Sequence, residues 1–343
     1  MNWERNRSVL RNVLESIGLT PMIRLNRLAE GLGPEVLVKL EYTNPSGSLK
    51  DRVVYRIVEE AEKRGDLKPG MILMEGTTGN TGISTCMVGA VKGYHVIIVM
   101  PEGMSEERKK TIEAYGAELV LTPGAESDVD LVLEEVARQK SKYGDRVFEV
   151  GQFVRPENVD THYLTTGPEI WEQAGGEVDV FIMCQGTGGT VTGTARYLKE
   201  KNPDIKILIS EPLESPILAE GKIGQHKVQG IADGLIPEIL NLDYIEGIVQ
   251  VESDEAIRVA REMARKEGIF CGISSGCNVA AALKAARYFP QARRIVTMIN
   301  DNGLRYLSTE LCGPAQERKL LEREYAVSAE DQARLKARGF LII

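Results

Sequence analysis

Two patterns of apolar and polar residues alternate along this chain. Short apolar runs with the two-residue period of a strand are followed by longer segments with the spacing of an amphipathic helix. The predicted strands are 36–42, 71–75, 95–100, 117–121, 147–150, 178–184, 205–211, 247–251 and 294–299, and a turn that leads into a short strand is predicted within 17–25. The predicted helices are 52–61, 81–91, 105–115, 128–141, 191–201, 254–266 and 275–288. This alternation predicts parallel sheets that are covered by helices on both faces.

The alternating elements fall into two blocks, one in each half of the chain. Two blocks predict an α/β fold with two doubly wound open sheets, each at the centre of a three-layer αβα unit. Ligands in such folds bind at the carboxyl ends of the strands. The cleft between the two units is therefore the expected ligand site.

Lys50 lies at a predicted junction between a strand and a helix. The stretch 44–52 is Asn-Pro-Ser-Gly-Ser-Leu-Lys-Asp-Arg, and its Pro-Ser-Gly part is typical of a turn. Positive charge is unfavourable near a helix N-terminus, so a purely structural lysine would point away into solvent. Alternatively, the helix end and partial burial would lower the pKa of the amine from its free value of about 10.4, as a Schiff-base lysine requires. Position 50 alone leaves both interpretations open.

Two glycine-rich stretches occupy further strand-to-helix junctions. They are 76–82, Gly-Thr-Thr-Gly-Asn-Thr-Gly, and 186–190, Gly-Thr-Gly-Gly-Thr. Glycines allow tight turns, and the backbone N–H groups at a helix N-terminus bind anions. The presence of both loops in one chain favours a phosphate-bearing ligand, and with it the Schiff-base interpretation of Lys50.

A dinucleotide-binding dehydrogenase is the alternative from another cofactor class. In its favour, Glu211 ends the strand after the second loop, where an acid would bind a ribose. Against it, Val191 stands where the dinucleotide motif has its third glycine. The chain also lacks the Gly-Lys-Ser/Thr sequence of a nucleotide kinase. Both nucleotide classes are therefore disfavoured.

Composition narrows the remaining function classes. The 343 residues carry a net charge of −8, which disfavours nucleic acid and anionic membranes as partners. No apolar run reaches the roughly 18 residues of a membrane span, and no apolar signal core follows residues 1–7. The five cysteines form no Cys-x-x-Cys motif and the three histidines are far apart, so no metal site is expected. An odd number of cysteines among apolar neighbours predicts reduced thiols in a cytoplasmic protein.

Four motifs together resemble one enzyme family. The stretches 44–52, 75–82, 186–190 and 272–276 occur in the order seen in cysteine synthases, the O-acetylserine sulfhydrylases. These belong to the tryptophan-synthase-β-like, fold type II enzymes that depend on pyridoxal 5′-phosphate. The resemblance covers about residues 17–309, and 165–171 and 305–309 look like the cysteine synthase branch. It implies two open sheets with the cofactor in the interdomain cleft.

The resemblance also implies roles for single residues. Lys50 would bind the cofactor covalently and move protons at the substrate Cα and Cβ, and Asn80 would contact the cofactor's 3′-oxygen. The cofactor-binding set is Lys50, Asn80, Gly186, Thr187, Gly188, Gly189, Thr190 and Asn302. The substrate-binding set is Thr77, Thr78, Gly79, Thr81, Gln152, Gly230 and Ile231. Taken alone, the threonines could equally be helix caps and Gln152 could face solvent.

The family resemblance further implies how the molecule is organised. Residues 1–43 and 156–343 would form a larger domain that binds the cofactor, and 44–155 a smaller, mobile domain that binds substrate. A homodimer is expected. Family members also bind the C-terminal isoleucine of serine acetyltransferase in the active site, so that enzyme is a candidate partner. The tail 316–343 is predicted to be helical and to pack on the protein's own surface or on its dimer mate.

Two stretches depart from the family pattern. Most cysteine synthases have Pro-Ser-Ser-Gly where this chain has Asn-Asp-Asn-Gly at 300–303. Asn302 then aligns with the serine expected at the pyridine nitrogen, and an inward Asp301 is the alternative. Asp233, in Gly-Ile-Ala-Asp-Gly at 230–234, would repel a phosphate leaving group. O-acetylserine or serine is therefore predicted as substrate over O-phosphoserine.

The predicted reaction is β-replacement, in which O-acetyl-L-serine and sulfide give L-cysteine and acetate. The alternatives on the same scaffold are a cystathionine β-synthase, another β-substituted-alanine synthase and a serine/threonine dehydratase. A non-catalytic regulatory relative is disfavoured because Lys50 and both glycine loops are present.

Overall fold

The larger of two sheets has seven strands. A computed structural model describes residues 8–124, 128–232, 234–313 and 325–343. The strand order is β1-β2-β11-β7-β8-β10-β13, and every neighbouring pair is parallel except β1 with β2. These strands are β1 Met22–Arg24, β2 Glu35–Leu40, β7 Val180–Cys184, β8 Lys206–Pro212, β10 Gly247–Val251, β11 Arg294–Ile299 and β13 Leu341–Ile342. All five residues of β7 are buried, as a continuous apolar run in a covered parallel sheet requires.

The smaller sheet has four parallel strands in the order β5-β4-β3-β6. They are β3 Ile72–Gly76, β4 His95–Pro101, β5 Glu118–Thr122 and β6 Val147–Glu149. A separate antiparallel pair joins β9 Lys222–Ile223 and β12 Tyr325–Ala326. The predicted α/β fold with largely parallel sheets is therefore confirmed.

Helices cover the sheets. They are α1 Lys50–Arg64, α2 Asn80–Lys92, α3 Glu106–Ala114, α4 Val129–Tyr143, α5 Glu157–Thr161, α6 Gly167–Gln173, α7 Gly189–Lys201, α8 Ile217–Glu220, α9 Ser253–Glu262, α10 Ile273–Tyr288 and α11 Ala329–Arg338. The predicted helix 254–266 ends earlier, because the chain widens into a π-helical turn at Met263–Glu267. The short strand predicted within 17–25 is β1, whereas the helices α5 and α6 and the strand β13 were missed because they are short. Within the described ranges, no helix has the length and apolarity that a membrane crossing requires.

The first helix, α1, carries Lys50 at its N-terminus and is anchored through its apolar face. Val53, Val54, Ile57 and Val58 are fully buried in the apolar cluster around the smaller sheet. Burying such side chains contributes roughly 1.5–3 kcal/mol each. The helix ends at Gly65, whose φ of 78° is the left-handed conformation that glycine adopts without strain.

The C-terminal tail packs on the larger sheet. Ile343 N–H donates to the carbonyl of Ile248 at 2.9 Å, which extends the parallel pairing of β13 with β10. Arg338, at the end of α11, donates through Nε to the carbonyl of Leu242 at 2.8 Å. The predicted helix in the tail therefore covers residues 329–338, and the part of the prediction at 316–324 falls outside the described residues.

Candidate active site

Lys50 lies between two small cavities. One has about 30 Å³ of free space beside the 77–81 loop, and the other has about 30 Å³ beside the 186–190 loop. Both are lined by Lys50, Asn80, Thr187 and Gly230. The structure thus brings the amine and the two glycine-rich loops together at one place.

Backbone pairing fixes the position of the residues before Lys50. Leu49 N–H donates to the carbonyl of Asn300 at 3.0 Å, directly after β11. The buried Asp51 carboxylate accepts a hydrogen bond from Ser46 N–H at 2.7 Å and another from Ser84 Oγ at 2.5 Å. The start of α1 is therefore held both to the larger sheet and to α2.

The 186–190 loop forms a tight bend between β7 and α7. Gly188 has a φ of 80°, and a Cβ there would lie 2.7 Å from Cβ of Leu240. Asn158 Nδ2 donates to Thr187 Oγ1 at 2.9 Å. Because α7 begins at Gly189, its free N–H groups lie at the cavity beside this loop, which suits a phosphate.

The same loop is supported by a neutral histidine. His162 Nε2 lies 3.1 Å from Thr190 Oγ1, and its Nδ1 lies 2.8 Å from Thr166 Oγ1. Burial lowers the pKa of His162 to about 3, so the ring stays uncharged at neutral pH. His162 therefore orients the Thr190 hydroxyl without adding charge. No role was predicted for His162 from the sequence.

The 77–81 loop faces the first cavity with hydroxyl groups. Thr77 and Thr81 are buried, and Thr78 also lines the cavity. Thr77 Oγ1 accepts a hydrogen bond from Gly79 N–H at 3.1 Å, which closes a local turn before α2 and does not cap the helix. Thr81 Oγ1 donates to Gln152 Oε1 at 2.5 Å. Gln152 is 4% exposed and therefore does not face solvent.

Glu75 holds the segment that carries Gln152. Its Oε2 accepts a hydrogen bond from Gly151 N–H at 2.7 Å and its Oε1 a longer one from Gln152 N–H at 3.4 Å. Burial raises the pKa of the Glu75 carboxyl to about 8, although these N–H donors act against the rise. No role was predicted for Glu75 from the sequence. An acid at the end of an apolar strand, directly before a glycine-rich loop, was the available signal.

Residues 230–232 close the site from the larger sheet. Gly230, with a φ of 89°, lines both cavities, and Ile231 lines the second. Ala232 N–H donates to the carbonyl of Gln185 at 3.0 Å, which ties this turn to the 186–190 loop. Asp233, on which the phosphate argument depends, lies outside the described residues.

Asn302 lies away from the described lining of both cavities. Its Oδ1 accepts a hydrogen bond from Leu304 N–H at 2.7 Å and caps a short 3₁₀ turn. The neighbouring Asp301 is fully buried and accepts from Asn80 Nδ2 at 2.8 Å. The predicted contact of Asn302 with the pyridine nitrogen remains a prediction. The position of its side chain, which caps a turn and lines neither cavity, does not favour that contact.

Two other polar residues line the second cavity, Ser274 and Asn300. Asn300 Nδ2 donates to Ser274 Oγ at 3.2 Å, and its Oδ1 accepts from Asn278 Nδ2 at 3.2 Å. Both residues lie in stretches that resemble or depart from the family pattern, but no role was predicted for either of them. Asn300 directly follows β11, and the carboxyl end of a parallel strand was the signal that pointed to it.

These residues fit a phosphorylated carbonyl cofactor. The bend at Gly188 and the N-terminus of α7 suit the phosphate, and Lys50 borders the cavity where a carbonyl could be attached. The cavity beside the 77–81 loop supplies hydroxyl and amide groups for a second, carboxylate-bearing molecule. No cluster of three metal-ligating side chains is found among the described residues.

Comparisons with known proteins agree with this fit. The family model described as "Pyridoxal-phosphate dependent enzyme" matches residues 13–301. The chain is 43% identical over 301 residues to a cysteine synthase of Staphylococcus aureus, a match that spans 88% of this chain and 96% of the relative.

Solved structures with the same architecture lead to the same group of enzymes. The cysteine synthase of Entamoeba histolytica superposes with a TM-score of 0.85 at 39% identity, with 97% of this chain and 96% of that chain covered. A hydrogen sulfide-producing enzyme from Fusobacterium nucleatum superposes with a TM-score of 0.84 at 40% identity, with 87% of this chain and 100% of that chain covered. The family predicted from the motifs is confirmed.

Proposed function

The chain belongs to the family of pyridoxal-phosphate dependent enzymes, and from this membership we propose that it catalyses β-replacement on an activated serine. The proposed reaction converts O-acetyl-L-serine and sulfide into L-cysteine and acetate. The observation that carries it is the position of Lys50 between a phosphate-type loop and a loop rich in hydroxyl groups. The similarity to cysteine synthases supports the choice of substrates.

Lys50 is the proposed proton carrier of the reaction. When bound, the cofactor's conjugated ring takes up the electron pair of the substrate Cα–H bond. The Lys50 amine borders both cavities, so it can take the proton from the substrate Cα. Acetate then leaves Cβ with its bonding pair, sulfide adds at Cβ, and the Lys50 ammonium returns a proton to Cα.

The first cavity is the proposed site of the substrate's α-carboxylate. Hydrogen bonds from Thr77, Thr78, Thr81 and the amide of Gln152 would hold it, and the N-terminus of α2 adds a favourable dipole. Val129 and Val132 form part of the cavity wall. This apolar surface excludes water and leaves room for a small β-substituent.

We propose that Ser274 and Asn300, which line the second cavity, contact the cofactor's ring nitrogen. A hydroxyl or an amide can donate to a neutral ring nitrogen. Such a contact favours elimination and replacement at Cβ, since a neutral ring is a weaker electron sink than a protonated one. Asn302 remains the alternative that aligns with the family's serine.

A spectroscopic and kinetic experiment tests the proposal. The purified protein should absorb in the visible because of its bound cofactor, and O-acetyl-L-serine without sulfide should shift that band. Lys50→Ala should abolish the shift and the formation of cysteine. Donor and acceptor are identified by comparing O-acetylserine, serine and O-phosphoserine, each with sulfide and with homocysteine. Preference for homocysteine would replace the proposed reaction by cystathionine synthesis, and preference for O-phosphoserine would contradict the predicted substrate.

We also propose a homodimer that forms through a surface groove. The groove has a volume of about 1010 Å³ and lies between α1 and the 161–176 segment. Leu164 and Trp171 line it, and the Leu164 side chain is 52% exposed. Apolar residues around a large groove are typical of a surface that a partner covers. A second copy of the chain is the proposed occupant, as the family resemblance implies.

Three further proposals complete the functional assignment. Residues 1–43 and 156–343 form the larger, cofactor-binding domain, and 44–155 form the smaller domain that closes over substrate.

A cytoplasmic location is supported by the five free cysteines, of which four are buried. Serine acetyltransferase is the proposed protein partner, and competition between its C-terminal peptide and O-acetylserine would test that complex.

A further inference from the structure

Arg108 is a buried arginine that connects the smaller sheet to the larger one. It lies on α3, which follows a strand of the smaller sheet, and it is 1% exposed. Its sequence context, Glu-Glu-Arg-Lys-Lys at 106–110, is typical of a solvated helix face. The next residue, Lys109, is partly buried and forms an ion pair with the exposed Glu106 at 2.9 Å. Arg108 departs further from that expectation.

The Arg108 guanidinium contacts two segments that lie outside the strands of both sheets. It lies 4.5 Å from the ring centroid of Tyr306 and donates through Nη2 to the Tyr306 hydroxyl at 2.8 Å. Its Nη1 donates to Gln229 Oε1, directly before Gly230 of the candidate site. The helix that carries Arg108 is also held to this region by Ser105 Oγ, which donates to the carbonyl of Arg305 at 2.7 Å.

A chain of hydrogen bonds continues from Tyr306 to the cofactor side of the site. The Tyr306 hydroxyl donates to Asp301 Oδ2 at 2.7 Å, and Asn80 Nδ2 donates to the same oxygen at 2.8 Å. Arg108 Nη2 lies 3.8 Å from this carboxylate. Arg108 and Asn80 therefore meet at one buried carboxylate, where charge-assisted hydrogen bonds are strong.

The stem of Arg108 also forms a wall behind the 77–81 loop. A Cβ at Gly79 would overlap Cδ and Nε of Arg108, and the φ of 148° at Gly79 is itself a conformation that other residues rarely adopt. Gly79 is therefore in direct contact with the arginine stem. The same side chain that binds Tyr306 and Gln229 supports the centre of the proposed carboxylate-binding loop.

We propose that Arg108 is a positioning residue for substrate recognition, which holds the 77–81 loop and the turn at Gly230 against the 301–306 segment. The inference rests on the proposed function, because it assigns the amino-acid substrate to the 77–81 loop. A buried guanidinium is stable only where its partners are all in place, so the network selects the arrangement in which these three segments meet. The 186–190 loop has supports of its own, from Asn158 at Thr187 and from His162 at Thr190, so it is expected to keep the cofactor when Arg108 is replaced.

Binding measurements on matched variants test this role. Arg108→Met keeps most of the aliphatic stem and removes the charge. Arg108→Lys keeps the charge but lacks the planar guanidinium group with its several N–H donors. Lys109→Met is the control on the same helix. L-Alanine is the probe, because it has no leaving group at Cβ, and its dissociation constant is read from the absorbance of the bound cofactor. Arg108→Met should weaken alanine binding about tenfold or more, as expected for the loss of charge-assisted hydrogen bonds. Cofactor affinity should change by less than about threefold, and Lys109→Met should leave both constants within about twofold.

Hydrogen exchange gives a readout that does not depend on activity. In the cofactor-loaded protein, Arg108→Met should accelerate amide exchange in 77–82 and leave 186–192 unchanged. Tyr306→Phe removes the link to Asp301 but keeps the ring, so it should reproduce part of the effect. In a double-mutant cycle, Arg108→Met and Tyr306→Phe should be non-additive for alanine binding.

The outcomes separate this inference from the proposed reaction. Unchanged alanine binding and unchanged exchange in Arg108→Met would overturn the inference, and so would a parallel loss of cofactor and alanine affinity. If Arg108→Met does not fold, Arg108→Lys and Tyr306→Phe decide on the same criteria. A wild-type protein that binds cofactor and alanine but forms no cysteine would count against the proposed reaction alone.

Discussion

At the scale of single residues, the buried carboxyl of Glu75 sets a pH dependence. Burial raises its pKa to about 8 from a usual value of 4.5. Between these two pH values the folded protein keeps a proton that the unfolded chain has lost. The free energy of unfolding therefore falls as the pH rises through this range.

Glu75→Gln should make the stability of the protein less dependent on pH. Each pKa unit between the folded and unfolded states corresponds to about 1.4 kcal/mol, so wild type should lose more stability than the variant between about pH 5 and pH 8. Urea unfolding of the cofactor-free proteins across this range measures the difference. Glu211 is the control, because burial raises its pKa to about 7 as well. Glu211→Gln should remove a separate part of the decrease in unfolding free energy with pH. If this decrease is equally steep in wild type and in Glu75→Gln, the prediction is contradicted.

A second residue-scale prediction distinguishes Asn300 from Asn302. Asn302 Oδ1 caps the turn at Leu304, so Asn302→Ala should lower the free energy of unfolding by about 1 kcal/mol and leave the cofactor absorbance unchanged. Asn300 lines the second cavity, so Asn300→Ala should shift the absorbance band. Visible spectra and urea titrations of both variants provide the test. A spectral shift in Asn302→Ala alone would instead support the family alignment.

At the scale of elements, a buried ion-pair network joins α1, β2 and α6. Arg52 donates through Nε to Glu41 at 2.7 Å and through Nη1 to Glu169 at 2.7 Å. Lys39, on β2, lies 2.7 Å from Glu169, and all four side chains are nearly inaccessible. Arg52 and Lys39 hold the pKa of Glu41 down to about 2 despite its burial. The two positive and two negative charges balance, and together they anchor the first turn of α1, two residues beyond Lys50.

Arg52→Met should strongly destabilise the protein. It leaves two buried glutamates with Lys39 as their remaining cation in the network, and breaking a buried pair typically costs about 3–5 kcal/mol. Arg24→Met is the matched control, because Arg24 pairs with Glu35 at the surface and such pairs contribute at most about 1 kcal/mol. Urea unfolding of both variants measures these costs. A similar, small loss in both would mean that the network contributes little.

At the scale of the whole molecule, the groove beside α1 brings the ion-pair network to the surface. The buried Arg52 and Glu169 and the exposed Leu164 all line it. A partner seated in the groove would cover the network and shield the helix that begins with Lys50. Because a partner binds only the folded chain, association would then stabilise the folded state and with it the active site.

Leu164→Glu should weaken the proposed dimer. A charge placed in an apolar interface loses its hydration, so the variant should dissociate at protein concentrations where wild type is dimeric. Leu133→Glu is the control, since Leu133 is 41% exposed on α4 and does not line the groove. Light scattering after size-exclusion chromatography measures the mass of each protein. A Leu164→Glu protein that stays dimeric would place the interface elsewhere.

Much of the site could be predicted because its signals are local. A strand period, a helix period and a glycine loop between them can each be seen in a few consecutive residues, and they predicted where the chain would turn at 44–52, 76–82 and 186–190. Short elements without a full period, such as β13, could not be predicted in this way. The pairing energy of β13 comes from β10, a neighbouring strand that is distant in sequence.

The sequence by itself determined the family, the cofactor class and the lysine and glycine loops around which the site is built, because each depends on residue types at fixed local spacing. Only the tertiary structure decided which polar groups are buried together. Arg108 reads as a solvated helix residue, and Asn302 aligns with a cofactor contact, yet the first is buried against Tyr306 and the second caps a turn. Burial and long-range hydrogen bonding depend on how distant segments pack, and no local pattern carries that information.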